Sequence, residues 1–67
     1  MKEYTNSQIE DIIDEHVHNL MHRTILKARF IDGLTYERIA ALPEVDRTPR
    51  QVAYIISRAV LRLEKFL

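Results

Sequence analysis

Gly33-Leu34-Thr35-Tyr36-Glu37-Arg38-Ile39-Ala40-Ala41-Leu42-Pro43, followed after a short polar stretch by Thr48-Pro49-Arg50-Gln51-Val52, carries the signals that decide the fold. Gly33 supplies a left-handed stop to whatever helix precedes it, because it has no Cβ to clash there. Thr35 is a helix cap, and the apolar Ile39, Ala40 and Leu42 behind it fit a short helix over 36–42. Pro43 cannot continue the hydrogen-bond ladder and ends that helix. After a turn over 43–47, Thr48 caps a second helix. Pro49 stands at its first position, where a missing N–H costs nothing. A short helix, a turn and a longer capped helix is the layout of a helix-turn-helix.

The long helix is expected to run over 49–66. Val52, Ile55, Ile56, Ala59, Val60, Leu63 and Phe66 form one apolar stripe at helical spacing. Upstream, Asn19 caps a helix whose inward positions are Met21 or His22, Ile25, Leu26 and Phe30, and which ends at Asp32-Gly33. A first helix is expected over 8–18. Ser7-Gln8-Ile9-Glu10 reads as its capping box, and Ile9, Ile12, Ile13, Val17 and Leu20 as its stripe. Its outward positions hold Asp11, Asp14, Glu15 and His18, acids placed to suit the dipole of a helix start. Four helices and no strands make an all-α single domain over 1–67, with an acidic helix in 1–18 and a helix-turn-helix core in 20–66.

Sixty-seven residues leave no room for a second domain, and so short a chain hides only ~60% of the surface its unfolded form exposes. The absence of cysteine removes disulfides, zinc–thiolate sites and thiol nucleophiles. No apolar run reaches the ~20 residues that span a bilayer. Met1-Lys2-Glu3-Tyr4 lacks signal-peptide character. The expected compartment is the cytoplasm, with no membrane partner. Ten bases balance ten acids, so the net charge is zero, but the distribution is uneven. Residues 1–22 set Lys2 against Glu3, Glu10, Asp11, Asp14 and Glu15, whereas residues 23–67 hold nine bases against five acids. The ends therefore differ by charge, −4 against +4, which is a better guide to partners than the sum.

The two faces of the last helix carry the functional reading. With Val52, Ile56, Ala59 and Leu63 turned inward, Arg50, Gln51, Tyr54, Ser57, Arg58, Arg62 and Lys65 face out. From Arg47 to Leu63 the bases are Arg47, Arg50, Arg58 and Arg62, with no acid among them. Arg and Gln can pair bidentately with guanine and adenine in the major groove. Thr48, Arg58 and Arg62 suit phosphate oxygens, which fix register without reading sequence, and Tyr54 suits either task. The plain alternative is the solvated face of an amphipathic helix.

The run Arg23-Thr24-Ile25-Leu26-Lys27-Ala28-Arg29-Phe30-Ile31-Asp32-Gly33-Leu34-Thr35-Tyr36-Glu37-Arg38-Ile39-Ala40 resembles region 4 of bacterial sigma factors and the related small phage-type transcription regulators. Arg50-Gln51-Val52-Ala53-Tyr54-Ile55-Ile56-Ser57-Arg58-Ala59-Val60 is similar to that family's recognition helix. The likeness covers about residues 20–64. It implies a sequence-specific DNA-binding regulator of transcription with duplex DNA as partner, acting as a homodimer or with RNA polymerase. Thr35 and Tyr36 then begin the first helix of the motif, and Arg47, Thr48, Arg50, Gln51, Tyr54 and Arg58 fall where the family meets DNA. The family's usual turn is Leu-Gly-Val-Ser, whereas Leu42 here is followed by Pro43-Glu44-Val45-Asp46-Arg47-Thr48, two residues longer. That length bears on the angle of the recognition helix, and Glu44 and Asp46 would oppose phosphates.

Other groupings offer less. His16, His18 and His22 would place two imidazoles one turn apart if a single helix ran through them, but no carboxylate or thiolate completes a metal set. Packing at a helix junction accounts for them without a metal, and no cofactor is implied. Asp11, Asp14 and Glu15 lack a nucleophile, a phosphate loop or a deep pocket, so no enzymatic role is expected. Tyr4 and Phe66 lie near the two ends, where they either pack together or line a contact between copies. A second functional reading is a protein-interaction module, an adaptor or inhibitor docking on RNA polymerase or another phage or host protein. The acidic first helix, the acids of the long turn and the zero net charge favour it.

Overall fold

The computed structural model describes residues 4–66; the Met1-Lys2-Glu3 stretch and Leu67 lie outside them. The described chain is all-helical: α1 Asn6–His16, α2 Leu20–Phe30, α3 Tyr36–Ala40, α4 Pro49–Leu63 and a closing 3₁₀ turn Glu64–Phe66. The expected four-helix, all-α class is the one observed. No described helix is long and apolar enough to cross a membrane.

Helix α1 starts earlier and stops sooner than 8–18. Thr5, not Ser7, is its cap. The Thr5 hydroxyl accepts from the Gln8 amide (3.2 Å), and the Gln8 side chain accepts from the Thr5 amide (2.9 Å). The sequence holds two overlapping boxes, Thr5–Gln8 and Ser7–Glu10, and the upstream one adds two residues of helix. The first turn consequently contains no acid, and Glu10 and Asp11 fall in the second. At the other end Val17 leaves the helix in extended conformation (φ −113°) and drives its side chain into the core at 4% exposure. Leu20, expected on the same stripe, instead opens α2 and is 72% exposed.

Asn19 caps α2 as expected, accepting from the His22 amide at 3.1 Å. Ile25 and Leu26 are fully buried and Met21 packs against them, but Phe30 at the helix end is 46% exposed rather than inward. Gly33 takes the left-handed conformation (φ 70°), and the Leu34 amide returns to the Ala28 carbonyl at 3.0 Å. Thr35 caps α3, accepting from the Arg38 amide. The regular helix ends at Ala40, two residues short of 42. Steric crowding by Pro43 disfavours helical conformation at Leu42, so termination begins before the proline.

The lengthened turn is ordered by one apolar side chain. Both Val45 and Asp46 amides donate to the Leu42 carbonyl at 3.0 Å, and Val45 is 1% exposed. Asp46 follows in left-handed conformation (φ 48°), which a short polar side chain tolerates better than most. The two extra residues thus form a loop with Val45 as its plug, leaving Glu44 and Asp46 exposed.

The core unites Ile13, Val17, Ile25, Leu26, Ala28, Ile39, Val45, Val52, Ile56, Ala59 and Leu63. Helix α2 touches α1, α3 and α4, so it is the hub; α3 lies mainly on α4. The last helix ends as an α-helix at Leu63, not at 66, and Phe66 is 44% exposed rather than part of the buried stripe. Its ring stacks on His16 at 3.6 Å, nearly parallel, which ties the chain end to α1.

Candidate nucleic-acid interface

The start of α4 is fixed by a reciprocal box. The Thr48 hydroxyl accepts from the Gln51 amide (3.1 Å) while the Gln51 side-chain carbonyl accepts from the Thr48 amide (3.0 Å). Two free amides of the helix start are satisfied together. This geometry changes the roles expected of both residues. The Thr48 hydroxyl oxygen is already an acceptor, and Gln51 retains only its side-chain NH₂ to donate. Bidentate reading of adenine by Gln51 would need that cap broken.

Arg47 is also partly committed. Its guanidinium donates to the carbonyls of Asp46 (3.1 Å) and Val45 (3.5 Å), fastening the turn. Arg47, Arg50, Gln51, Tyr54 and Ile55 surround a shallow, open cleft at the N-terminal half of α4. Along the helix, Arg50, Tyr54, Ser57 and Leu61 follow at intervals of three or four and share one line; Arg58 and Arg62 stand beside it, one turn apart. All six are exposed, opposite the buried Val52, Ile56, Ala59 and Leu63. The expected residues Arg47, Thr48, Arg50, Gln51, Tyr54, Arg58 and Arg62 therefore do lie together on one face.

The remaining bases separate by what they touch. The Arg23 guanidinium donates to the carbonyls of Val17 and Asp14, filling the open C-terminal end of α1. Lys27 pairs with Asp14 at 2.8 Å. Arg29 donates to the Leu34 carbonyl (3.0 Å) and lies over the Tyr36 ring at 4.6 Å, so it clasps the link from α2 to α3. Lys65 rests over Phe66. Among the described residues only Arg38, Arg50, Arg58 and Arg62 form no side-chain hydrogen bond, ion pair or ring contact, and all four belong to α3 or α4. Arg38 is not among the residues that the sequence pattern singles out. Its signal lies in the sequence: a base in the short capped helix whose apolar positions are Ile39 and Ala40.

The histidines do not converge. His16 closes α1 and stacks on Phe66, His18 lies in the link 17–19, and His22 is in the first turn of α2. The chain breaks its helix between them, and no group of three metal-ligating side chains assembles among the described residues. Compared with protein-family models, curated proteins and solved structures, the chain gives no significant match.

Proposed function

We propose that this chain is a sequence-specific DNA-binding regulator of transcription, resembling sigma region 4, with α4 entering the major groove. One observation carries the reading: the partnerless arginines are confined to α3 and α4, and α4 itself holds no acid. A cation held in water without an internal partner is available to a phosphate or a base edge. A cation already donating to backbone carbonyls must first give up those bonds. Arg50 and Tyr54, near the start of α4, are placed to read bases. Arg58, Arg62 and Arg38 serve phosphates, and Arg47 and Thr48 order the turn while flanking the same groove. RNA polymerase and phage origin belong to this reading by resemblance, and a cytoplasmic setting by the polar N-terminal sequence.

Selection of bound duplexes from a random pool, with fluorescence anisotropy on the enriched sites, tests it. A consensus sequence is expected from the native chain. Arg50→Ala with Arg58→Ala removes binding, and circular dichroism stays unchanged because both side chains are exposed. Absence of any enriched site, with no binding at low salt, contradicts the reading.

A protein-interaction module is the second reading. It is favoured by Glu10, Asp11 and Glu15, exposed acids of α1. Nuclease-treated pull-down separates the two, since an association bridged by DNA disappears and a direct contact with polymerase or another protein survives.

A further inference from the structure

The first two turns of α4 set hydrogen-bond donors and an apolar wall side by side. Arg47, Arg50, Gln51, Tyr54 and Ile55 line the cleft there. Gln51 stands three positions before Tyr54 and four before Ile55, so its side chain neighbours both on the helix surface. Tyr54 is 66% exposed and Ile55 is partly buried.

The polar groups of the cleft divide unevenly into donors and acceptors. The Thr48 amide takes the Gln51 side-chain oxygen at 3.0 Å, and an N–H can bond only to that end of the amide. The NH₂ group is therefore the end left free. Arg47 and Arg50 donate and cannot accept. The Tyr54 hydroxyl does either, so it selects nothing. Glu44, Asp46 and Thr48 are not among the walls. Each base shows a different edge in the major groove. Adenine and cytosine present an amino group, which needs an acceptor that this cleft does not commit. Guanine presents two acceptors and no apolar group. Thymine presents its O4 acceptor next to the C5 methyl. A donor beside an apolar wall is the complement of that edge.

We infer that the cleft is a thymine-reading subsite, in which the Gln51 NH₂ donates to O4 while the Tyr54 ring and Ile55 cover the methyl group. The inference rests on the reading of α4 as the helix that enters the major groove. It replaces the adenine pairing that residue type alone suggests for Gln51. The Thr48–Gln51 box is then a specificity device as well as a helix cap. Turning the amide over to serve adenine would set its NH₂ against the Thr48 N–H and leave that donor unsatisfied. The cap thus holds Gln51 to one role.

The experiment starts from the duplex that the native chain enriches. Each thymine in it is replaced singly by deoxyuridine, which lacks only the methyl group, and affinity is read by fluorescence anisotropy. At one position the change should weaken binding about three- to fivefold, as for returning one methyl group to water. Tyr54→Ser, at an exposed position, should bind the thymine and uracil duplexes nearly alike. Gln51→Glu keeps an oxygen for the Thr48 amide and turns the free donor into an acceptor. Selection repeated with it should enrich cytosine at that same position. Uracil tolerated at every position overturns the inference while leaving DNA binding intact, as does a Gln51→Glu chain that still selects thymine there. A native chain that enriches no duplex overturns it together with the functional reading. The uracil scan uses the native protein and decides the matter whatever affinity the variants retain.

Discussion

A buried valine in a polar turn and a glutamine folded back on its own cap show how single residues set what α4 can do. Val45 is fully enclosed, and its side chain fixes the loop that aims α4. Val45→Ala should cost roughly 1–3 kcal/mol in chemical denaturation, the range for truncating a buried aliphatic side chain. It should also weaken DNA binding through the loosened turn. Thr48→Ala removes the hydroxyl that accepts from Gln51 and should cost about 1 kcal/mol. Gln51→Glu preserves the box and adds an acid to the basic face. Stability should hold while DNA affinity falls, because the added carboxylate opposes phosphates beside Arg47 and Arg50. Gly33 has room for a Cβ, with nothing within 4 Å, so Gly33→Ala pays only for its left-handed backbone, about 1–2 kcal/mol.

At the scale of elements, Arg23 ties α2 to the end of α1. It leaves α2 to donate to the carbonyls of Asp14 and Val17 at the end of α1. Arg23→Ala should therefore destabilise by about 2 kcal/mol, as for hydrogen bonds from a charged donor. Thermal melts should show it, with α1 losing protection first in hydrogen exchange. The helices themselves were legible because their signals are local. Asn19, Gly33, Thr35 and Thr48-Pro49 each act on neighbouring backbone, and all four do in the structure what their chemistry implies. The misreadings arose where local signals competed or where tertiary packing decided. Thr5 and Ser7 both offered a box to α1. Val17 left its helix to reach the core, while Leu20 and Phe30 were left exposed at helix ends. Of the candidate face, the positions of Arg50, Tyr54, Arg58 and Arg62 followed from periodicity alone. The commitments of Arg47 and Gln51 to the backbone did not, since they depend on side-chain bonds that residue type does not reveal.

For the molecule as a whole, the zero net charge conceals a division of labour. The bases of α2 hold the fold together, the acids of α1 face outward, and the unengaged arginines gather on α3 and α4. Glu44 and Asp46 stand exposed in the turn before α4, so Glu44→Gln with Asp46→Asn should tighten DNA binding several-fold without changing the fold. The central claim is that this arginine face is a phosphate-binding surface, and the salt dependence of duplex binding measures it most directly. Three or four arginines on phosphates predict a slope of log affinity against log salt between about −2.7 and −3.6. A fourfold rise in salt then weakens binding roughly 40- to 150-fold. Arg58→Ala should flatten that slope by about one. Binding that is absent at low salt, or present but indifferent to salt and to Arg58→Ala, would contradict the account.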